Sequence, residues 1–302
     1  MQRENSLPGA DAGRERYFAT LDRIMALVPA VVASVLIFGP RSLALAAFAV
    51  AAGVAGEFAG HRFFGRAGAA DGLGAAADAL LLALLLPVSA PWFAAALGGL
   101  CTAAARRLTD GTGKRALSPA AAAVSLLALI FPAQMSAWSR PFQYLHPEFC
   151  AAFVSPPELL RQSAAAPDVF RLLIGARAGG LGETCILALL GGGIYLIARR
   201  RIDPLVPLCF LGAAALFSLC MGRSVPLDLL SGSLVLSAVF LAAGPDVAPA
   251  NRRGKLLFAA GCGGATLLLR RFFAVPAGDA AAVALAGLVR FVASKLRGRG
   301  KK

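Results

Sequence analysis

Asp78-Ala-Leu-Leu-Leu-Ala-Leu-Leu-Leu-Pro87 is an apolar run that opens on a carboxylate and stops at a proline. A bilayer core about 30 Å thick asks for roughly 20 apolar residues in one helix, so this run suits a half-helix better than a full crossing. Further along, Asp228-Leu-Leu-Ser-Gly-Ser-Leu-Val-Leu236 repeats the pattern at a matching point. A carboxylate inside such a run costs about 2.5 to 3.5 kcal/mol on insertion scales, so it faces a bundle interior or a water-filled path. Asp78 and Asp228 are therefore candidate ion-path residues. The plainer alternative is that each caps a helix N-terminus, where a carboxylate accepts backbone N–H groups.

Around these two segments the chain continues in the same manner. It has 302 residues, 58% of them hydrophobic and only 15% charged, with a mean hydropathy of +0.71, which excludes an ordinary soluble domain. Ten apolar stretches, at about 23–39, 42–60, 73–87, 90–105, 118–135, 183–199, 204–221, 227–244, 255–271 and 278–294, predict an all-α polytopic membrane protein. The net charge of +14 does not indicate nucleic acid, because the basic residues recur at the ends of the spans. Arg62, Arg66, Arg106, Arg107, Arg199 to Arg201, Arg252, Arg253 and Lys255 alternate with breaks that hold far fewer. This bias places both termini in the cytoplasm and the protein in the bacterial inner membrane. No signal peptide precedes the first span, since residues 1 to 17 are polar and of mixed charge.

The organisation follows as a cytoplasmic segment 1–22, a five-helix unit 23–135, an external loop 136–182, a second five-helix unit 183–294 and a basic tail 295–302. The Pro- and Ala-rich start of the fifth span, Ser118-Pro119 to Val124, finds a counterpart at the tenth, Pro276-Ala-Gly-Asp279 to Val283. An odd number of spans per unit makes the repeats inverted. Inverted repeats place sites near the midplane between discontinuous helices, and Ser231, Gly232 and Glu57 join the two aspartates as lining candidates. Glu57 and His61 lie one helical turn apart, either as a proton-handling pair or as interfacial neighbours of Arg62. Arg270 and Arg271, at an external end, read as snorkelling side chains. The six cysteines form no CxxC pair, and with two histidines in the chain no metal site is expected, His146 and Cys150 included.

Several ordered motifs carry a resemblance. Leu229-Leu230-Ser231-Gly232 runs through Ala242 and Pro249 to Arg253-Gly254-Lys255, while Leu181-Gly182-Glu183-Thr184 leads into Leu187-Ala188-Leu189-Leu190. Leu86-Pro87 and Pro91-Trp92 precede a Gly113 to Ala120 stretch in which Ser118 stands where Asn is usual. Together they resemble the RnfD/NqrB family, most of all the D subunit of the Rnf ion-translocating oxidoreductase. The resemblance implies an integral subunit, rather than a self-contained enzyme, of a complex that couples ferredoxin and NAD electron transfer to sodium-ion or proton translocation. Implied partners are the other membrane subunits, a flavin-bearing G-type subunit and a cytoplasmic iron-sulfur subunit.

The same resemblance implies FMN, joined by a phosphoester to a threonine shortly before the Gly-Glu-Thr span, with Glu183, Thr184, Ser231 and Gly232 as flavin or ion-path contacts. Glu183 also reads as a helix cap. Here the chain departs from the pattern. The corresponding stretch is Phe153-Val154-Ser155-Pro156-Pro157-Glu158-Leu159-Leu160, and residues 132 to 182 contain no threonine. Ser155 is the nearest hydroxyl, so covalent attachment is not expected. Two further readings stand beside the redox role: a stand-alone solute channel, since the inverted five-span plan also suits urea-type channels, and an assembly protein of the same complex that has lost its cofactor.

Overall fold

The computed structural model describes residues 8–64, 71–110, 117–139, 141–142, 179–244, 247–272 and 277–299. Its helices are α1 (Pro8–Phe38), α2 (Pro40–Phe64), α3 (Gly72–Leu85), α4 (Trp92–Asp110), α5 (Pro119–Ile130) and the single turn α6 (Pro132–Met135). After the central segment come α7 (Ile186–Ala198), α8 (Leu205–Cys220), α9 (Val225–Leu230) and α10 (Leu234–Leu236), the last continuing as a π-helical turn, Ser237–Ala242. The chain ends with α11 (Arg252–Phe272) and α12 (Gly278–Arg299).

Helix α1 begins well before the predicted first span, and both 13–38 and 40–63 are long and apolar enough to cross a membrane unaided. Four shorter apolar helices, α3, α5, α7 and α8, are not. At 1.5 Å per residue α3 reaches only about 21 Å, and its lost length is made up by unwound chain.

That unwinding differs from the sequence expectation in two places. The sixth span does not begin at residue 183: α7 starts at Ile186, and Gly179 to Cys185 form a non-helical strap. The strap lies along the end of α3, where Gly182 N donates to Leu84 O at 2.7 Å and Leu181 N to Leu86 O at 2.9 Å. These bonds satisfy carbonyls that a continued helix would have paired internally, as an apolar surrounding demands. Gly182 is required there, because a Cβ would collide with the Leu84 side chain.

The eighth span is likewise not continuous over 227–244. It breaks at Ser231-Gly232-Ser233, with Gly232 at φ +64°, a left-handed conformation that glycine adopts without steric cost. The two aspartate-bearing runs thus lead to two interruptions.

Helix pairs are set by small residues. Gly99 of α4 lies against the Ala49 carbonyl of α2, and Gly263 of α11 against the Phe210 carbonyl of α8. At both crossings the second helix of a half meets the fourth so closely that no side chain fits, the usual device where lipid gives helices no hydrophobic reason to associate. The third such crossing, Gly192 of α7 on the Ala26 carbonyl of α1, joins the two halves.

One end of the bundle carries the basic breaks. The other is marked by an aromatic cluster, in which Trp92 lies 6.1 Å from both Phe48 and Phe93.

A test separates crossing from composition. Gly263→Ala should lower stability by about 1–3 kcal/mol, the range for overpacking a tight contact, read as a fall in Tm of the purified protein in detergent. Gly261→Ala, on the same helix with open space around it, should leave Tm unchanged.

Candidate functional site

Two buried arginines organise the acidic residues singled out by sequence. The first is Arg106 near the C-terminal end of α4, 2% exposed. Its Nη1 donates to Asp78 Oδ2 at 2.5 Å and its Nη2 to Asp71 Oδ2 at 2.8 Å. Asp78 Oδ1 accepts from Arg23 Nη1 of α1 at 2.8 Å. Both oxygens of this carboxylate are therefore held by guanidinium groups.

Asp78 is not the cap of α3. Asp71 is, with Oδ1 accepting from Gly74 N at 2.9 Å, and Asp78 sits two turns further in. Glu57 of α2 completes the cluster, its carboxylate 4.0 Å from Arg106 Nε and 3.9 Å from Arg107 Nη2. Three acids of α2, α3 and the α3 cap thus meet three arginines of α1 and α4 near the basic end.

The second arginine, Arg270, lies near the opposite end, at the C-terminal end of α11. It does not snorkel. Its side chain is 9% exposed and turns inward, while Arg271 beside it is exposed. Its Nε and Nη2 form a fork on Asp279 of α12, at 2.7 Å to Oδ1 and 2.6 Å to Oδ2. The remaining donors enter the break in the eighth span. Nη1 reaches Asp228 O at 2.9 Å and Ser231 Oγ at 3.3 Å, and Nη2 reaches Ser231 O at 2.7 Å.

Ser233, on the far side of the break, donates to Asp279 Oδ2 at 2.9 Å. The Asp228 carboxylate is held separately, by Ser218 Oγ at 2.7 Å and Arg223 Nη2 at 3.0 Å. Although Asp228 stands in the first turn of α9, the N-cap residue of that helix is Ser224.

Glu183, Asp228 and Asp279 all act electrostatically on Arg270, so the strap and the break share one neighbourhood. Glu183 Oε1 accepts from Gly180 N at 2.7 Å, closing a turn of the strap rather than capping α7, whose N-cap residue is Cys185. Thr184 is fully buried, and its hydroxyl has no hydrogen-bond partner among the described residues. Sequence candidates Glu183, Asp228, Ser231 and Gly232 are thereby gathered near Arg270, while Asp78 and Glu57 gather around Arg106. Ser155, His146 and Cys150 lie outside the described residues.

The residues that sequence reading missed are the cations themselves and two of their acidic partners, Asp71 and Asp279. Arg106 counts towards the positive end of a span, and Arg270 is adjacent to another arginine at a helix end. A usable signal existed: a carboxylate buried among apolar helices requires a cation at the same depth.

A family model described as the NQR2, RnfD, RnfE family matches residues 8–293. The chain belongs to that family. The D subunit of the Na(+)-translocating ferredoxin:NAD(+) oxidoreductase complex of Acetobacterium woodii is 30% identical over 260 residues, 84% of this chain and 80% of that protein. The D subunit of the ion-translocating oxidoreductase complex of Stutzerimonas stutzeri is 32% identical over 88% of each chain, and that of Halorhodospira halophila 28% identical over 87% and 84%. With this membership the all-helical fold is that of a polytopic membrane protein, and the resemblance seen in the motifs is borne out.

The Arg270 cluster makes a sharp demand on stability. Arg270→Met should cost about 3–5 kcal/mol, as expected when one partner of a buried ion pair is removed, whereas Arg271→Met should change stability by less than about 0.5 kcal/mol. Adding Asp279→Leu to Arg270→Met should recover part of the loss. Thermal unfolding in detergent measures all three.

Proposed function

We propose that this chain is the D-type integral subunit of an Rnf-type complex that couples electron transfer to ion translocation across the bacterial inner membrane. The observation that carries this reading is the family match along nearly the whole chain, with relatives named as complex subunits on both sides of 30% identity. The partners are then other membrane subunits, a G-type flavin subunit and a cytoplasmic iron-sulfur subunit. The stand-alone solute channel is not favoured, because the named relatives are subunits of complexes.

In this reading the chain is two inverted five-helix units flanking a central external segment, with both termini cytoplasmic. Support for the inversion comes from the matched crossings at Gly99 and Gly263 and from the fourth-helix arginines, Arg106 and Arg270, which lie at opposite ends of the bundle. The acidic residues serve mainly as partners of these arginines. A carboxylate with both oxygens occupied by guanidinium groups, as at Asp78, is a structural anion and a poor carrier of a mobile cation.

FMN is the cofactor that the family implies, and a bound flavin would supply electron transfer. The residues present do not fit its covalent attachment. Phosphoester formation needs a hydroxyl, the stretch 132–182 has no threonine, and Ser155 precedes two prolines. The one threonine just beyond, Thr184, is fully buried within the strap. The chain therefore holds its place in the complex as scaffold, or binds flavin without a bond.

Purification of a tagged chain in mild detergent should bring down other membrane subunits and an iron-sulfur protein, identified by mass spectrometry. A denaturing gel under ultraviolet light should show no fluorescent band at its mass. A lone chain that makes liposomes permeable to a small solute would sink the complex reading, and a fluorescent band abolished by Ser155→Ala would sink the loss of covalent FMN.

A further inference from the structure

The basic end of the bundle holds a pocket of about 600 Å³ between the turn after α7, the start of α8, Ala243 with residues 248–250, and the start of α11. Arg200, Arg201, Asp203 and Lys255 contribute its charged lining. Two of these cations are already committed. Lys255 Nζ donates to Asp203 Oδ2 at 2.6 Å, and Arg201 Nε donates to Asp22 Oδ2 at 2.6 Å. The Lys255 bond, helped by Leu205 N, holds the Asp203 carboxyl below its ordinary range.

Arg200 differs. Its guanidinium has no ion pair or hydrogen bond among the described residues, and its backbone stands at φ +55°. The reason for that φ is local. Helix α7 ends in a Schellman turn, with Arg201 N donating to Leu196 O and Arg200 N to Ile197 O, both at 2.9 Å. The residue after the cap must then be left-handed, a position that glycine fills without strain and an L side chain fills at a steric cost. The turn favours glycine; the chain places there an exposed arginine that is among the pocket's lining residues. The pocket's three basic lining residues, Arg200, Arg201 and Lys255, meet two carboxylates, Asp203 and Asp22, so the region keeps a positive excess.

Which anion suits it is indicated by the surface leading away. Ile197 lines the pocket and is 37% exposed, and Ile194, Leu190 and Leu187 continue from it along α7 as an exposed aliphatic stripe at intervals of three and four. Residues so spaced share one helix face. A pocket at a helix end with Arg200, Arg201 and Lys255 in an otherwise largely apolar lining, continuous with an apolar track running toward the opposite end, matches a molecule with an anionic head and a hydrocarbon tail. Basic pockets between transmembrane helices at such ends suit phosphate head groups.

We infer that this pocket binds the phosphate head group of an anionic membrane lipid, with Arg200 as its dedicated cation and the α7 stripe as the bed for an acyl chain. A soluble phosphate would share the head-group chemistry but could not use the stripe.

Thermal unfolding of the full chain in detergent, titrated with phosphatidylglycerol or cardiolipin, tests this directly. Both lipids should raise Tm, phosphatidylcholine should not, and inorganic phosphate at equal concentration should have much less effect. Arg200→Gly should leave the lipid-free Tm unchanged or slightly raised, since glycine suits the turn, yet weaken the lipid effect about fivefold, as expected for one basic residue near a charged head group. Arg200→Asn, which also tolerates the left-handed region, should behave alike. Equal stabilisation of the wild type and both variants by anionic lipid would overturn the inference, as would equal effects of phosphatidylcholine. Phosphate matching the lipid would overturn the lipid as ligand.

Discussion

A guanidinium carries five N–H donors and cannot shed its charge, so an arginine buried between helices needs an anion close by and acceptors for most of its donors. Arg270 meets this condition in full. Two donors form a fork on Asp279, and three go to the backbone and hydroxyl oxygens of the interrupted eighth span. The break at Ser231 to Ser233 leaves carbonyls that a continuous helix would have paired internally. Arg270 supplies the missing donors from α11. The interruption and the arginine are therefore mutually dependent, since either alone would leave buried polar groups unmatched.

At the other end the same demand is met with different parts and less completely, since Arg106 Nε has no hydrogen-bond partner among the described residues. At Arg106 the acceptors are carboxylates: Asp78, the Asp71 cap and, more distantly, Glu57. The interruption after α3 is instead satisfied by backbone, through the strap at Leu181 and Gly182. One half thus separates the tasks of neutralising an acid and mending a broken helix, and the other gives both to one side chain. Comparing the two aspartate-bearing runs in sequence alone hides this difference. The aspartates match in position, but the groups that bind them do not.

Much of the fold was legible because it follows from hydrophobic length. The stop at Pro87, the alternation of basic breaks and the half-length of α3 are each set by residues one can read. The interruption of the eighth span was not, although Ser231-Gly232-Ser233 lay in view, because an apolar run with one glycine is also compatible with a continuous helix. The strap was missed for a related reason: Gly-Glu-Thr before an apolar run looks like a helix start, and only the carbonyls of Leu84 and Leu86 reveal why the chain stays out of a helix there. At the candidate site, Asp78 and Asp228 were found by their cost in lipid, while Asp71, Asp279 and the cations were not. Arginines near span ends are ordinary, and nothing local distinguishes Arg270 from Arg271.

This division of labour bears on the threonine-free central segment. The contacts that hold the interrupted helices, at Arg106, Arg270, Gly182 and the Gly99 and Gly263 crossings, are made among residues of the two helical units and the strap. Every acceptor that saturates Arg270 belongs to the stretch from Asp228 to Asp279, well outside residues 153 to 160. The donors of Arg270 are thus filled without a group from residues 153 to 160.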